Sequence, residues 1–240
     1  EIYTLSLHDA LPICGRIVAI EDKPEVRHAG GVYYTPTYIV EGVVRETLLP
    51  LLVGKTPESA ATLRIVDPAC GSGSFLIGAY QFLLNWYRDW YLTNDPDNRL
   101  NKMTLLGGER VLTIDVRKQI VLNSLYGVDI DEQAVETTKL SLLLQVLEGE
   151  TNETISDRLR RHRERALPDL GRNIQCGNAL IDDAFYADPA HRALSDAVRR
   201  RVNTFNWQGS FPTIFSAAGG FDAVIGNPPY IRIQAMIEYA

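Results

Sequence analysis

The chain has 240 residues, 45% hydrophobic and 22% charged with both signs spread along it, which suits one full core and excludes a disordered polyelectrolyte. A net charge of −6 counts against a self-sufficient DNA-binding module, because a protein that grips phosphates usually carries a basic surface. The three cysteines, Cys14, Cys70 and Cys176, have neither metal-ligand spacing nor an even framework for disulfides, so they read as free thiols in a reducing compartment.

In chain order, Glu1 to Ile13 reads EIYTLSLHDALPI, which resembles the translation of a short sequencing adapter. A secretory leader is the alternative, but Glu1, His8 and Asp9 break the cationic start and apolar run that it needs. The fold is therefore expected within 14–240, as a partial catalytic domain. A helix is expected over Pro36 to Leu52, after Gly30-Gly31-Val32-Tyr33-Tyr34-Thr35-Pro36. The strand Leu63 to Val66 then runs into Asp67-Pro68-Ala69-Cys70-Gly71-Ser72-Gly73-Ser74. Its glycines let the backbone turn sharply and approach a ligand, and Ser74 can cap the helix Ser74 to Tyr91. The free N–H groups of such a helix start suit a carboxylate or a phosphate, although an ordinary tight turn is the plainer reading. The Gly-Lys-Ser/Thr of a Walker loop is missing. Within the uncharged run Pro68 to Tyr87, only Phe75 to Tyr87 reads as apolar helix, too short to cross a bilayer.

A helix Glu109 to Ser124 leads to the strand Leu125 to Val128 and then Asp129-Ile130-Asp131. An acid at the end of a second strand can accept from ribose hydroxyls, which is the place of Asp129. Asp131 reads as the N-cap of the helix Glu132 to Leu147, an ordinary core-facing helix. The helix Ser156 to Ala166 carries an arginine run, Arg158 to Arg165, matched later by Arg199-Arg200-Arg201. Such runs are more often solvated faces than phosphate contacts. The strand Asn173 to Cys176 precedes Gly177-Asn178, and the aromatics Phe205, Trp207 and Phe211 read as a satellite core. Finally the strand Ala223 to Gly226 runs into Asn227-Pro228-Pro229-Tyr230.

Strands alternating with helices predict an α/β fold, a parallel sheet flanked by helices. Ligands on such sheets sit at the carboxyl ends of the strands, and Asp67, Asp129, Asn178 and Asn227 each follow one. Consecutive prolines fix φ and supply no N–H, leaving the carbonyls of Asn227 and Pro228 free to accept. An exocyclic base amine is a poor nucleophile because its lone pair is delocalised. Acceptors at the Asn227 side chain and the Pro228 carbonyl would hold its two hydrogens and favour a pyramidal nitrogen. Tyr230 would stack on a base swung out of the duplex. A Pro-rich turn after a strand is the plainer reading of that motif taken alone.

The ordered set DPACGSG, GVDID and NPPY, preceded by GGVYYTP, resembles the γ-type N6-adenine DNA methyltransferases, and among them the large type IIG restriction-modification and phage-exclusion methylases. The resemblance implies a Rossmann-like class I methyltransferase fold whose last strands lie beyond this chain, with S-adenosylmethionine as cofactor and no metal. It implies that Tyr34, Thr35 and Pro36 close over the methionine end and that Asp67, Ala69, Gly71 and Gly73 line the methionine and sulfonium. Asp129 would take the ribose and Ile130 the adenine face. Asn178 stands where the family often has an aspartate for the cofactor's adenine amine. Asn227, Pro228, Pro229 and Tyr230 would carry the target base. Cys70 and Cys176 have no nucleophilic role in that chemistry and are expected to pack as small residues.

The partner implied is double-stranded DNA, read by a target-recognition domain beyond residue 240, in the cytoplasm of a bacterium or archaeon, with no membrane. Cytosine N4, RNA or a protein glutamine remain alternative acceptors, and Asn rather than Ser at 227 leans towards adenine. The chain in isolation is expected to be poorly soluble and inactive, since an unfinished sheet leaves an open edge.

Overall fold

The computed structural model describes residues 12–13, 16–17, 35–94, 102–106, 108–150, 167–217 and 219–228. Thr35–Pro228 forms one compact unit. In the other, Glu1–Tyr34 with Pro229–Ala240, the described residues are a short antiparallel pair, β1 (Pro12–Ile13) and β2 (Arg16–Ile17), with Ile13 opposite Arg16.

The larger unit is built on a four-stranded parallel sheet in the order β7-β6-β3-β8. Its strands are β3 (Ile65–Asp67), β6 (Leu125–Asp129), β7 (Ile174–Cys176) and β8 (Ala223–Val224). β3 lies inside, with Ile65 opposite Leu125 of β6 on one side and Ala223 of β8 on the other. The chain therefore builds outward from β3 to β7 and then crosses back to place β8 on the far side. That reversal makes a switch point between the carboxyl ends of β3 and β8, where open α/β sheets bind ligands. The predicted α/β architecture of a parallel sheet with flanking helices is the observed one.

Helix α1 (Thr37–Leu52) buries Val40, Val44, Leu48 and Leu52, an i, i+4 stripe. Val40 sits over Gly78 of α3 (Ser74–Asn94), whose own buried face includes Leu76, Ala79, Tyr80, Leu83 and Tyr87. The single turn α2 (Pro57–Ala60), capped by Thr56, is tied to α3 by the Tyr87 hydroxyl, which donates to the Pro57 carbonyl at 3.0 Å. Helix α5 (Glu132–Leu147) starts and ends as the sequence predicts, and Asp131 caps it by accepting from Gln133 N–H at 2.9 Å.

One predicted helix is corrected. Glu109 to Ser124 divides into β5 (Glu109–Leu112), paired antiparallel with β4 (Met103–Leu106), and helix α4 (Ile114–Ser124). Leu106 pairs with Glu109 at the closed end of the hairpin, and Gly108 has φ +89°. Gly-Gly between two apolar runs is itself a hairpin signal, outweighed in the sequence by the helical periodicity that follows it. Ser74 is also corrected: the Gly73 carbonyl accepts the first helical bond, from Ile77 N–H, so Gly73 takes the cap position and Ser74 the first helical one. The predicted helix Ser156 to Ala166 lies outside the described residues.

Between β7 and β8 the chain makes a 3₁₀ turn (Asp183–Ala187) and four short helices that the sequence reading did not separate: α6 (Pro189–Arg192), α7 (Asp196–Val202), α8 (Trp207–Ser210) and α9 (Pro212–Ala217). Asp182, Asp188, Ser195 and Asn206 cap successive turns, a regular punctuation of side-chain oxygens. Phe205 and Phe211 are buried with Val128 and Ile214, and Trp207 and Phe221 pack against them. Phe211 meets Phe221 edge to face at 5.4 Å, so these aromatics do form a satellite core. Arg200 and Arg201 are exposed on α7, as a solvated face requires. Arg199 instead folds back over Tyr186, 4.7 Å from its centroid.

Arg117 of α4 is buried and joins three elements. Its guanidinium donates to the carbonyls of Leu112 at 2.9 Å, Val146 at 3.1 Å and Glu148 at 2.6 Å, and pairs with the Glu150 carboxylate at 3.1 Å. It thereby satisfies carbonyls at the end of α5 that have no helical partner. Arg117→Met keeps an unbranched apolar stem but leaves those acceptors and a nearly buried carboxylate unpaired, which is expected to cost about 3–5 kcal/mol in urea unfolding. A loss under 1 kcal/mol would contradict this account of the α4–α5 junction.

Candidate active site

The loop after β3 is held in place by β6 and α5. Cys70 N–H donates to the Val128 carbonyl at 3.0 Å, and Gly71 N–H donates to Asp129 Oδ2 at 2.7 Å. The Thr138 hydroxyl, on the buried face of α5, donates to the Gly71 carbonyl at 2.7 Å. Gly73 has φ +89°, and a Cβ there would meet Thr138 at 3.0 Å, so its conformation and its space both call for glycine. The sequence reading passed over Thr138 as ordinary core. A hydroxyl on the core-facing stripe of the helix after Asp129 was the signal available.

Asp129 is half-buried at the end of β6, and its other oxygen accepts from Asp131 N–H at 2.9 Å. Each carboxylate oxygen keeps a further lone pair for an incoming hydroxyl. Ile130 beside it is 52% exposed, an open apolar surface at the carboxyl edge of the sheet. Asn178 follows β7, linked to the same edge through Gly177 N–H, which donates to the Asp129 carbonyl at 2.8 Å. The Asn178 side-chain oxygen already accepts from Leu180 N–H at 3.1 Å, closing a local turn.

Asp67 ends β3 and is 1% exposed. Its carboxyl accepts from Ala69 N–H at 3.0 Å. Burial pushes it up to about 7, with the neighbouring Asp129 adding to the rise and the Ala69 N–H opposing it. Gly226 lies directly against it, since a Cβ at 226 would come within 2.5 Å of Asp67 Oδ1. The carboxyl ends of β3 and β8 therefore touch at the switch point. Gly226 was absent from the residues singled out by sequence, although it immediately precedes the Asn-Pro-Pro-Tyr motif.

Asn227 is half-buried, and its Nδ2 donates to Thr35 Oγ1 at 3.2 Å across 192 positions of sequence. Pro36 is exposed and its carbonyl starts α1, accepting from Ile39 and Val40 N–H. Pro228 is exposed. The structure thus gathers Asp67, Ala69, Gly71, Gly73, Asp129, Ile130 and Asn178 along one sheet edge and brings Thr35 to Asn227. Tyr34, Pro229 and Tyr230 lie outside the described residues. Cys70 is buried, and burial pushes its thiol up to about 12, as fits a packing role. Cys176 departs from that expectation: it is exposed, with its sulfur near the Ile130 carbonyl and the Asn203 amide.

Residues 123–240 match the family described as Eco57I restriction-modification methylase, and residues 39–154 match the RMKL-like methyltransferase domain. The type II restriction enzyme and methyltransferase RM.Eco57I of Escherichia coli is 31% identical over 246 residues, covering 98% of this chain. The chain carries Eco57I-like restriction-modification methylase and RMKL-like methyltransferase domains. It spans about a fifth of RM.Eco57I, 21% of that protein's length. The adenine-specific methyltransferase PglX of Streptomyces coelicolor is 24% identical over 83% of this chain and 14% of its own. Among solved structures, a nuclease-deletion mutant of the Type ISP restriction-modification enzyme LlaGI, in complex with a DNA substrate mimic, aligns with TM-score 0.44 and 15% identity over 83% of this chain and 13% of that one. Methylases of this kind generally use S-adenosylmethionine.

The Asp67 carboxyl carries a pH signature. Its folded value, about 7, lies above the ordinary 3.8, so the native chain keeps a proton that the unfolded chain releases. That contribution to stability is full below the unfolded value, falls as pH rises through 7 and is then lost, about 4 kcal/mol in all. Asp67→Asn cannot ionise, so its stability relative to wild type is expected to climb between pH 5 and 7 and level off above 8. Urea unfolding across that range checks it, and a pH-independent difference would show that Asp67 does not titrate there.

Proposed function

We propose that this chain is the cofactor-binding and catalytic part of a DNA methyltransferase that methylates adenine at N6, within a restriction-modification or phage-defence system. The observation that carries the reading is the close approach, at the switch point, of Gly226, the residue before Asn227, to the Asp67 carboxyl that opens the glycine loop.

The residues present fit S-adenosylmethionine. A buried carboxyl held near neutrality beside a second carboxylate favours a positively charged ligand, and the φ +54° and +89° glycines at 71 and 73 keep the loop free of side chains. In this reading Asp67, Ala69, Gly71 and Gly73 bind the methionine end, with Tyr34 and Pro36 closing over it. Asp129 accepts from the ribose, Ile130 covers the adenine face and Asn178 takes the adenine amine with the remaining lone pair of its oxygen. When bound, the cofactor would supply an electrophilic methyl carbon on a positively charged sulfur, with a neutral thioether as the leaving group.

The chain's own residues prepare the nitrogen. Asn227 Oδ1 and the Pro228 carbonyl accept its two hydrogens, drawing the lone pair out of conjugation and towards the methyl group. Pro229 keeps the following backbone from offering a competing N–H, and Tyr230 stacks on the extruded base. The proton shed after transfer passes to water. The whole protein acts on double-stranded DNA in the cytoplasm, reading its sequence with a part outside these residues.

The test is to express the full reading frame in a methylation-deficient host and analyse the host's nucleosides by mass spectrometry. N6-methyladenine is expected, falling about 10²–10³-fold in Asn227→Ala, the scale of losing a preorganised catalytic dipole. N4-methylcytosine would keep the site and change the target. No modified base from a soluble, cofactor-binding protein would move the acceptor to RNA or a protein glutamine.

A further inference from the structure

We infer that Thr35 is a positioning residue for catalysis, setting the orientation of the Asn227 amide through the hydrogen bond from Asn227 Nδ2 to its hydroxyl. The inference rests on the reading of Asn227 as the acceptor for the target amine.

An asparagine amide is nearly symmetric in shape and opposite in chemistry at its two ends. Turned one way, Asn227 offers Oδ1 to the amine. Turned the other, it offers N–H groups to a group that is itself a donor, and the contact is repulsive. Nothing in the shape of the side chain selects between these, because the terminal torsion of asparagine is broad and roughly two-fold. A hydroxyl fixed on one side holds the plane of the amide, and while Thr35 Oγ1 accepts from Nδ2 at 3.2 Å the opposite end, Oδ1, is left for the amine, whose hydrogens need an acceptor.

Both arms of this contact are anchored. Asn227 follows Ile225, whose N–H donates to the Val66 carbonyl at 2.9 Å, and Gly226, which sits against Asp67. Thr35 precedes Pro36, and a residue before proline is confined to extended backbone. Pro36 in turn opens α1, whose Val40 and Val44 are buried. The hydroxyl is therefore held by the packing of a helix rather than by a free loop. Thr35 is not the cap of α1, since the Pro36 carbonyl accepts the first helical bonds, so replacing its side chain leaves the helix start intact.

The resemblance assigns Thr35 to the cofactor, whereas this contact points its hydroxyl at the target-base side. The two assignments separate in an experiment on the full-length protein. Thr35→Val keeps the shape and removes the acceptor, and Thr35→Ser keeps the acceptor. Thr35→Val is expected to lower kcat for DNA methylation about tenfold, the scale of one neutral hydrogen bond, with the dissociation constant for S-adenosylmethionine, read by calorimetry, unchanged. Thr35→Ser is expected to restore most of kcat. In an Asn227→Ala background, Thr35→Val is expected to have no further effect, as two residues acting through one amide require.

A wild-type kcat in Thr35→Val would overturn the inference, as would a kcat loss matched by weaker cofactor binding or a full tenfold loss retained in the Asn227→Ala background. Wild-type activity in Asn227→Ala would instead remove the acceptor reading itself, so the two failures are told apart.

Discussion

The hydrogen bond from Gly71 N–H to the Asp129 carboxylate, 2.7 Å long, is the contact on which the arrangement of the site depends. It joins the loop after β3 to the end of β6 and spends one acid of the second strand on fixing the glycine turn. Parallel pairing alone aligns the strands but leaves the loops beyond them free. With Cys70 bonded to Val128 and Thr138 to the Gly71 carbonyl, the turn is clamped from β6 and from α5 together. The start of α3 follows from that clamp, because the helix begins on the residue after Gly73.

The other half of the site is carried by a close approach instead. Gly226 lies where any side chain would collide with the Asp67 carboxyl, so the chain leaving β8 can pass close against the end of β3 just before Asn227. The two halves use different physics, a directed bond on one side and an absent Cβ on the other. They meet in Asp67, which is bonded to its own loop, crowded by Gly226 and raised chiefly by its burial, with the charge of Asp129 adding to it.

Most of this was legible in the sequence wherever one residue type answers one local need. Each acid or amide that follows a strand sits at the sheet's carboxyl edge, and Asp131 caps α5 as a side-chain oxygen before a helix should. The sequence failed where two local signals competed. Gly107-Gly108 demanded a hairpin while the apolar spacing from Val111 to Val121 demanded a helix, and the chain satisfies both in succession. It also failed where the need is non-local. Thr138 reads as core because its partner is 67 positions away, and the Thr35–Asn227 bond spans almost the whole unit. No periodicity within a window can report such pairs.

The site is assembled from choices that weaken the fold. A carboxyl 1% exposed and glycines held at positive φ each cost stability. Strain and buried polarity of this kind persist only where surrounding structure over-determines them. Here the surroundings are α1 and α3 packed through Val40, Val44, Leu76 and Tyr80, and the Arg117 junction that closes α5, α4 and the hairpin. Arg117 holds the far end of the helix whose first turns carry Thr138, so a buried arginine remote from the sheet's carboxyl edge helps keep the glycine loop in register. The division is spatial: the Arg117 junction secures the far ends of the helices, and the buried carboxyl and the positive-φ glycines lie at the sheet's carboxyl edge, where a charged ligand and a base amine would meet them.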